Sequence, residues 1–268
     1  MSQSSSNCVL RADADCIDKT ISNVNDNGIN LSYAYLNGVQ LTGDSFVNGG
    51  FENSALLNVN FTGDSLQNAN FSNADLVGDD FNGANLTGAD FAGASLSTLN
   101  VTIANATLTG PDASFRCADL NFANFAGADL SGADFNCFEP LPKATLLQNA
   151  NFQNANLQHA SFYDAFLVRA NLQNANLEFA YLSFANLAYA NLNGANLPNI
   201  DMKSPSPYNA YFLNYANFSF ANLQGDTFYD QSLKGAILNG ANLNGANLQM
   251  VQFCGTTMQD DSINNANC

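Results

Sequence analysis

The chain has 268 residues, of which 46% are apolar and 11% charged, so it can bury a large core and is not a disordered polymer. Twenty-three acids against seven bases give a net charge of −16, which excludes a nucleic-acid binder working through a basic surface. A single His excludes a histidine-rich metal site, and no run of about eighteen apolar residues is present to span a membrane as a helix.

In chain order, residues 1–30 start polar and fit no clean pattern; Cys16 and Ile21 keep a five-residue rhythm, but Lys19 and Ile29 stand where small residues are expected. This segment reads as an N-terminal cap, with no basic or apolar leader visible at its start. From Leu31 to Val101 every fifth residue is apolar, without a miss. The rhythm returns from Phe115 to Phe135, from Leu147 to Leu197 and from Tyr208 to Cys268, for 44 repeats in all. It slips near 102–114, 136–146 and 198–207, where all six prolines fall, and Pro belongs where a ladder bulges. One continuous body over 31–268 is expected.

A period of five fits neither a helix, where successive centres drift off any one face, nor a flat strand, where odd spacing alternates faces. It works if the chain turns one corner per repeat with the centre always inward. The residue two before each centre is usually small, Ala ten times running from Ala150 to Ala195, and it too must point inward. The residue just before the centre is usually Asn or Asp, as in Ala-Asn-Leu-Asn-Gly at 241–245, and supplies turn chemistry outside.

These A(D/N)LXX repeats resemble the pentapeptide-repeat family over roughly residues 31–268. The resemblance implies an all-β fold: a right-handed quadrilateral parallel β-helix with four pentapeptides per coil, about eleven coils and a rod of roughly 50–55 Å at the inter-strand spacing. With four pentapeptides to a coil, Phe51, Phe71 and Phe91 should stack in one column, Phe61 and Phe81 in another, and Leu36, Leu56, Leu76 and Leu96 in a third. Asn151, Asn171 and Asn191, and likewise Asn156, Asn176 and Asn196, should form side-chain ladders.

There are six cysteines. Cys117 and Cys137 should lie one coil apart in one column, within disulfide reach. Cys8 and Cys16 are a candidate pair inside the cap; Cys254 and Cys268 are a third, unless Cys268 bridges subunits. The even count suggests an oxidising, extracellular or cell-surface setting, whereas reduced thiols would mean a cytoplasmic one. The register runs through Phe253, Met258 and Ile263 to Cys268, so the C-terminus reads as an uncapped coil end, a template for another chain.

Catalytic, metal and cofactor sites are not expected. His159 has no evident partner in the sequence. Asp44, Asp64, Asp79 and Asp226 recur after Gly at the inward small position, where each is expected to bond its own turn backbone. The sequons, such as Asn60-Phe-Thr and Asn217-Phe-Ser, arise automatically from Asn before and Ser/Thr after a centre. Thr is too scattered for an ice-binding ladder.

Three functions compete. A stiff rod with an open end would associate with itself end-to-end, as a closed dimer or a filament. Alternatively, the family resemblance implies an acidic mimic of B-DNA that binds DNA gyrase, a topoisomerase. Residues 1–134 carry 15 acids and 3 bases, against 8 and 4 in 135–268. The mimic surface would hold Asp75, Asp80, Asp90, Asp119, Asp129 and Asp134. A general regulatory protein-binding solenoid is the third reading.

Overall fold

The computed structural model describes residues 8–21, 23–95, 103, 106, 114–137, 144–200, 202, 213–266 and 268. They wind into one solenoid. Strands β1 (Asp15–Ile17), β2 (Tyr35–Asn37) and β3 (Ala55–Leu57) pair in parallel in the order β1-β2-β3, each strand four pentapeptides after the last. The same offset recurs in single parallel bridges such as Thr20↔Gln40, Asn70↔Asp90 and Asn171↔Asn191. Four pentapeptides therefore make one turn. We number the faces in chain order from the one that holds β1–β3.

The corner is the same in almost every repeat. The residue two after each inward centre has φ between 49° and 79°, and the next N–H returns to the centre's carbonyl, as in Ala34 to Leu31 at 3.0 Å. That is the signature of a type II turn. Gly and Asn occupy most of these left-handed positions because they tolerate them at least cost.

The centres build the core. Phe51, Phe71, Phe91, Phe115, Phe135 and Phe162 form one unbroken stack, with ring centroids 4.6–5.0 Å apart. Phe61 and Phe81 stack at 4.8 Å on the opposite side, and rings of the two columns meet edge-on, as Phe71 and Phe81 do at 5.5 Å. Leu36, Leu56 and Leu76 are fully buried in the first-face column; Leu96 lies outside the described residues. Each such side chain contributes about 1.5–3 kcal/mol by leaving water, and each aromatic pair about 0.5–1.5 kcal/mol more.

Three expectations need correction. Residues 15–30 are not a separate cap: they already pair with the next coil at the standard offset, so the solenoid starts by Asp15. Ile29 fits at a small-residue position because its column neighbour is Gly49. A Cβ on Gly49 would fall 2.8 Å from the Phe51 ring and 2.9 Å from the Phe46 carbonyl.

The insertions also sit differently. Asp90 pairs with Ser114, Asp119 with Leu146 and Asn191 with Asn217, each a longer step than four pentapeptides. In the first, Ile103 is a buried centre, bonded to the Asn124 carbonyl; Val101 lies outside the described residues. In the third, the repeat continues through Ile200 and Met202, both buried, so the extra residues come after Met202. Pro198 thus stands in a regular repeat, directly after centre Leu197, where a type II turn favours Pro.

The third correction concerns the C-terminus. The register holds at Phe253 and at half-buried Met258, then the chain reverses. Strands β4 (Thr256–Thr257) and β5 (Ile263–Asn264) pair antiparallel, leaving Ile263 58% exposed. Phe253 donates its N–H to Ala266, and Cys268 is bonded to Cys254. A hairpin thus covers part of the last coil, which is not uncapped. Two acids in the turn, Asp260 and Asp261, supply the chemistry for the reversal where the five-residue pattern predicts another coil.

Candidate functional site

Among the described residues, both ends of the solenoid are ladder edges. Thr20, Asn25 and Asn30 bridge forward to Gln40, Ser45 and Gly50. Among the described residues, Asn242, Asn247 and Gln252 bridge backward alone, to Asn222, Thr227 and Ser232. The terminal hairpin bonds over the first face through Phe253 to Ala266, and over the second through Leu238 to Thr257 and Gly240 to Gln259. On the third and fourth faces, Leu243, Ala246 and Leu248 remain half-buried against the core. Of the residues expected at the assembly end, Phe253 and Met258 are thus in the column, whereas Ile263 and Cys268 belong to the hairpin.

The structure joins the six cysteines as Cys8–Cys16, Cys117–Cys137 and Cys254–Cys268, with Cα separations of 5.4, 4.8 and 5.1 Å. The middle pair has the spacing of adjacent coils, so the bridge clamps two coils beside an insertion. The other two fasten the first and last coils.

Inward acids make the least expected contacts. Asp64 accepts the Asp44 N–H at 2.8 Å, Asp44 the Val24 N–H at 2.8 Å, Asp79 the Val59 N–H at 2.7 Å and Asp226 the Ile200 N–H at 2.8 Å. Each carboxylate therefore reaches the preceding coil, not its own turn. It takes the N–H that would otherwise close that coil's type II turn. The second oxygen of all four faces the core without a partner. Loss of water pushes the Asp64 carboxyl up to about 7; the Asp44 N–H opposes that shift and the Asp44 charge adds to it. Burial raises Asp226 to about 8 and Asp79 well above the usual carboxylate range, each against its backbone donor.

Outward acids are dispersed. Asp75 and Asp119 share the first face with Ser95 between them, and Asp90 and Asp134 the fourth with Ser114 between them. Asp80 lies on the second face and Asp129 on the third. Five of these six cap their own turns, as Asp80 does with the Asn82 N–H at 2.9 Å and Asp134 with that of Asn136 at 2.9 Å. The six are therefore not one patch.

From Asn124 on the second face and Asn156 on the third, the outward residues form Asn ladders. Asn171 donates to Asn151 at 3.0 Å and Asn191 to Asn171 at 3.1 Å, while each side-chain oxygen also accepts the N–H two residues on. On the third face Asn196 donates to Asn176 at 3.0 Å and Asn222 to Asn196 at 2.9 Å.

Sequence reasoning missed a set of exposed aromatic residues at the left-handed corner positions. Phe122, Phe179, Tyr189, Tyr215 and Phe220 all have positive φ and are 42–66% exposed. His159 stacks on Phe179 at 5.1 Å, Tyr189 on Tyr215 at 4.8 Å, and the Arg169 guanidinium lies 5.5 Å over Tyr189. The signal was available: a bulky residue where the pattern prefers Asn or Gly. His159 is thus part of a surface stack.

A parallel solenoid of five-residue turns with an apolar centre and a small inward partner defines a class of non-globular repeat proteins. The sequence model for "Pentapeptide repeats" matches eight copies, within 50–98, 112–137, 143–203 and 227–260. The chain belongs to the pentapeptide repeat family. Its fold is similar to HetL, a pentapeptide repeat protein involved in heterocyst differentiation regulation in the cyanobacterium Nostoc sp. strain PCC 7120, with 26% identity, 92% of each chain covered and a TM-score of 0.51. A pentapeptide repeat protein of the Arabidopsis thaliana thylakoid lumen matches at 31% identity over 47% of this chain and 74% of its own, with a TM-score of 0.31. QnrB1, a plasmid-mediated fluoroquinolone resistance protein, matches at 15% identity over 89% and 92%, with a TM-score of 0.33. No curated protein sequence matches the chain.

Proposed function

We propose that this protein is a non-catalytic structural rod that associates with itself end-to-end. The reading takes the solenoid as a right-handed quadrilateral of about eleven coils, roughly 50–55 Å long. The observation that supports it is the pair of ladder edges that are one-sided among the described residues, Thr20 and Asn25 at one end and Asn242 and Asn247 at the other. Parallel edges of the same register accept another coil, and unpaired edges recruit further chains. The hairpin restricts the contact at the C-terminal end to the third and fourth faces, where Leu243, Ala246 and Leu248 offer apolar surface.

Electron microscopy of the unreduced protein beside a reduced sample tests it. Filaments or two-rod particles joined at their tips, with an axial repeat near one rod length, are expected. A protein that stays monomeric at high concentration without reductant would overturn the reading.

The charge of residues 1–134 favours a second reading, an acidic B-DNA mimic that binds a topoisomerase. Inhibition of gyrase supercoiling, or protection of gyrase from an inhibitor, at micromolar protein is its expected outcome. Unchanged supercoiling would sink it.

A further inference from the structure

The geometry points to a second interaction surface: the first face pairs side by side with the first face of a second copy of this chain, the two rods running antiparallel. This goes beyond end-to-end contact, because it uses a flank of the rod.

Three observations carry it. The first face differs in chemistry from the Asn-laddered second and third faces. Its outward residues include Ile17, Tyr35, Phe166, Tyr189 and Tyr215, each 38–51% exposed, and half-buried Leu57 and Val77. It is also where β1–β3 form, so a parallel ladder of regular strands underlies its first coils. Exposed apolar residues gathered on one flank mark an interaction site rather than scattered surface residues.

The charges on this strip are segregated. Its N-terminal half carries Asp15, Asp18 and Asp75, all exposed. Its C-terminal half carries exposed Arg169 and Lys234. Asp15 and Asp75 are three coils apart, through Tyr35 and Ala55. Arg169 and the coil of Lys234 are also three coils apart, by way of Tyr189 and Tyr215, whose ring lies on Gly235. One two-fold axis therefore brings Lys234 over Asp18 and Arg169 over the coil of Asp75, and both again by symmetry. It leaves Phe122, 60% exposed, to meet its twin near the axis. The neighbouring Asp119 carboxylate is held to its own chain by the Asn121 N–H at 3.3 Å. A parallel arrangement would instead oppose acid to acid, so the sign pattern selects the antiparallel one.

The area suffices. A strip about 48 Å long at about 4.8 Å per coil and about 12 Å wide buries roughly 600 Å² on each rod. The total, about 1,200 Å², is at the lower limit for a specific dimer.

Sedimentation velocity and small-angle scattering of the oxidised full chain test the idea. A concentration-dependent particle of twice the mass, with the length of one rod and a doubled cross-section, is expected. Arg169→Glu with Lys234→Glu should weaken this dimer at least about tenfold, and adding Asp18→Lys and Asp75→Lys to the same chain should restore it. A monomer at all concentrations, or a particle of doubled length and single cross-section, overturns the proposal; the latter would still support end-to-end contact. The wild-type scattering profile decides this even if a variant fails to fold. A dimer indifferent to the double charge reversal also overturns it.

Discussion

The two halves of the rod use one backbone with different side-chain wiring. Before Phe162 the core is stacked Phe, and the outward residue before a centre is often Asp. After Phe162 the centres are mostly Leu, and the same outward position is most often Asn. Both Asp and Asn cap their own turn with one side-chain oxygen. Only Asn has the N–H₂ that also donates to the coil before it. A carboxylate column is two rows of acceptors, so it makes no ladder and adds repulsion. The N-terminal half is therefore held by aromatic packing at its centre and the C-terminal half by hydrogen bonds along its outside.

That contrast can be broken by emptying the Phe column. Phe135→Ala removes a fully buried ring stacked at 4.8 and 4.6 Å on Phe115 and Phe162. Urea unfolding should show a loss of about 3–5 kcal/mol. The equivalent change at Leu192, in the laddered half, should cost less, about 2–4 kcal/mol.

Next in size is the response to pH. Asp64, Asp79 and Asp226 have folded pKa values raised by burial. Such groups bind a proton more tightly when folded, so their stabilising contribution is complete below the unfolded pKa. It is lost as pH rises from about 4 through about 7 and 8, at about 1.4 kcal/mol per unit per group. Thermal melts should therefore show a rising midpoint as pH falls from 8 to 5. Asp64→Asn keeps an oxygen for the Asp44 N–H and removes the charge. It should stabilise the rod at pH 8 by on the order of 3 kcal/mol, a figure reduced for solvent screening, and flatten the slope. An unchanged slope would mean that Asp64 is not neutral in the folded protein.

The ladder itself is tested by exchanging its letters. Asn171→Asp keeps the cap on Gln173 but deletes the donor to Asn151, at a cost of about 1 kcal/mol. Asp90→Asn, with Asn70 one coil earlier, adds a donor to the acidic half and should gain about the same. Equal and opposite shifts in the denaturation midpoint would show that the two halves differ by this one bond per coil.

The smallest effect concerns the exposed corner rings. Gly235 has φ +65°, and a Cβ there would lie 2.5 Å from the Tyr215 ring. Gly235→Ala should cost about 1–2 kcal/mol, and Tyr215→Gly should recover the steric part of it, since a Cβ on Gly245, one coil after Gly225, meets nothing closer than 4.0 Å. Full recovery would mean that the left-handed conformation itself is cheap at this corner.

Much of this was legible in the sequence. The five-residue period placed Phe51, Phe71 and Phe91 in one stack, Cys117 beside Cys137 and Asn151 beside Asn171, because a repeat converts sequence distance directly into coil distance. The period failed where a local contact outweighed it. Ile29 breaks the small-residue rule, yet Gly49 above it makes room. Ile263 keeps the rhythm, yet the chain turns back and ties Cys268 to Cys254. The inward acids were placed correctly, but their bonds to the coil before were not, since a turn's own sequence is silent about its neighbour one coil away.

The sequence by itself determined the period, the inward and outward residues and the net charge of each half, because these depend on spacing and composition alone. The tertiary structure decided which coil each insertion lengthens and how the last residues close the rod. It also decided which outer face each charge and exposed ring occupies. Those depend on the offset between coils, which is four pentapeptides from Asn171 to Asn191 but longer from Asp90 to Ser114, from Asp119 to Leu146 and from Asn191 to Asn217. That offset is fixed by which backbone groups pair, not by any single repeat.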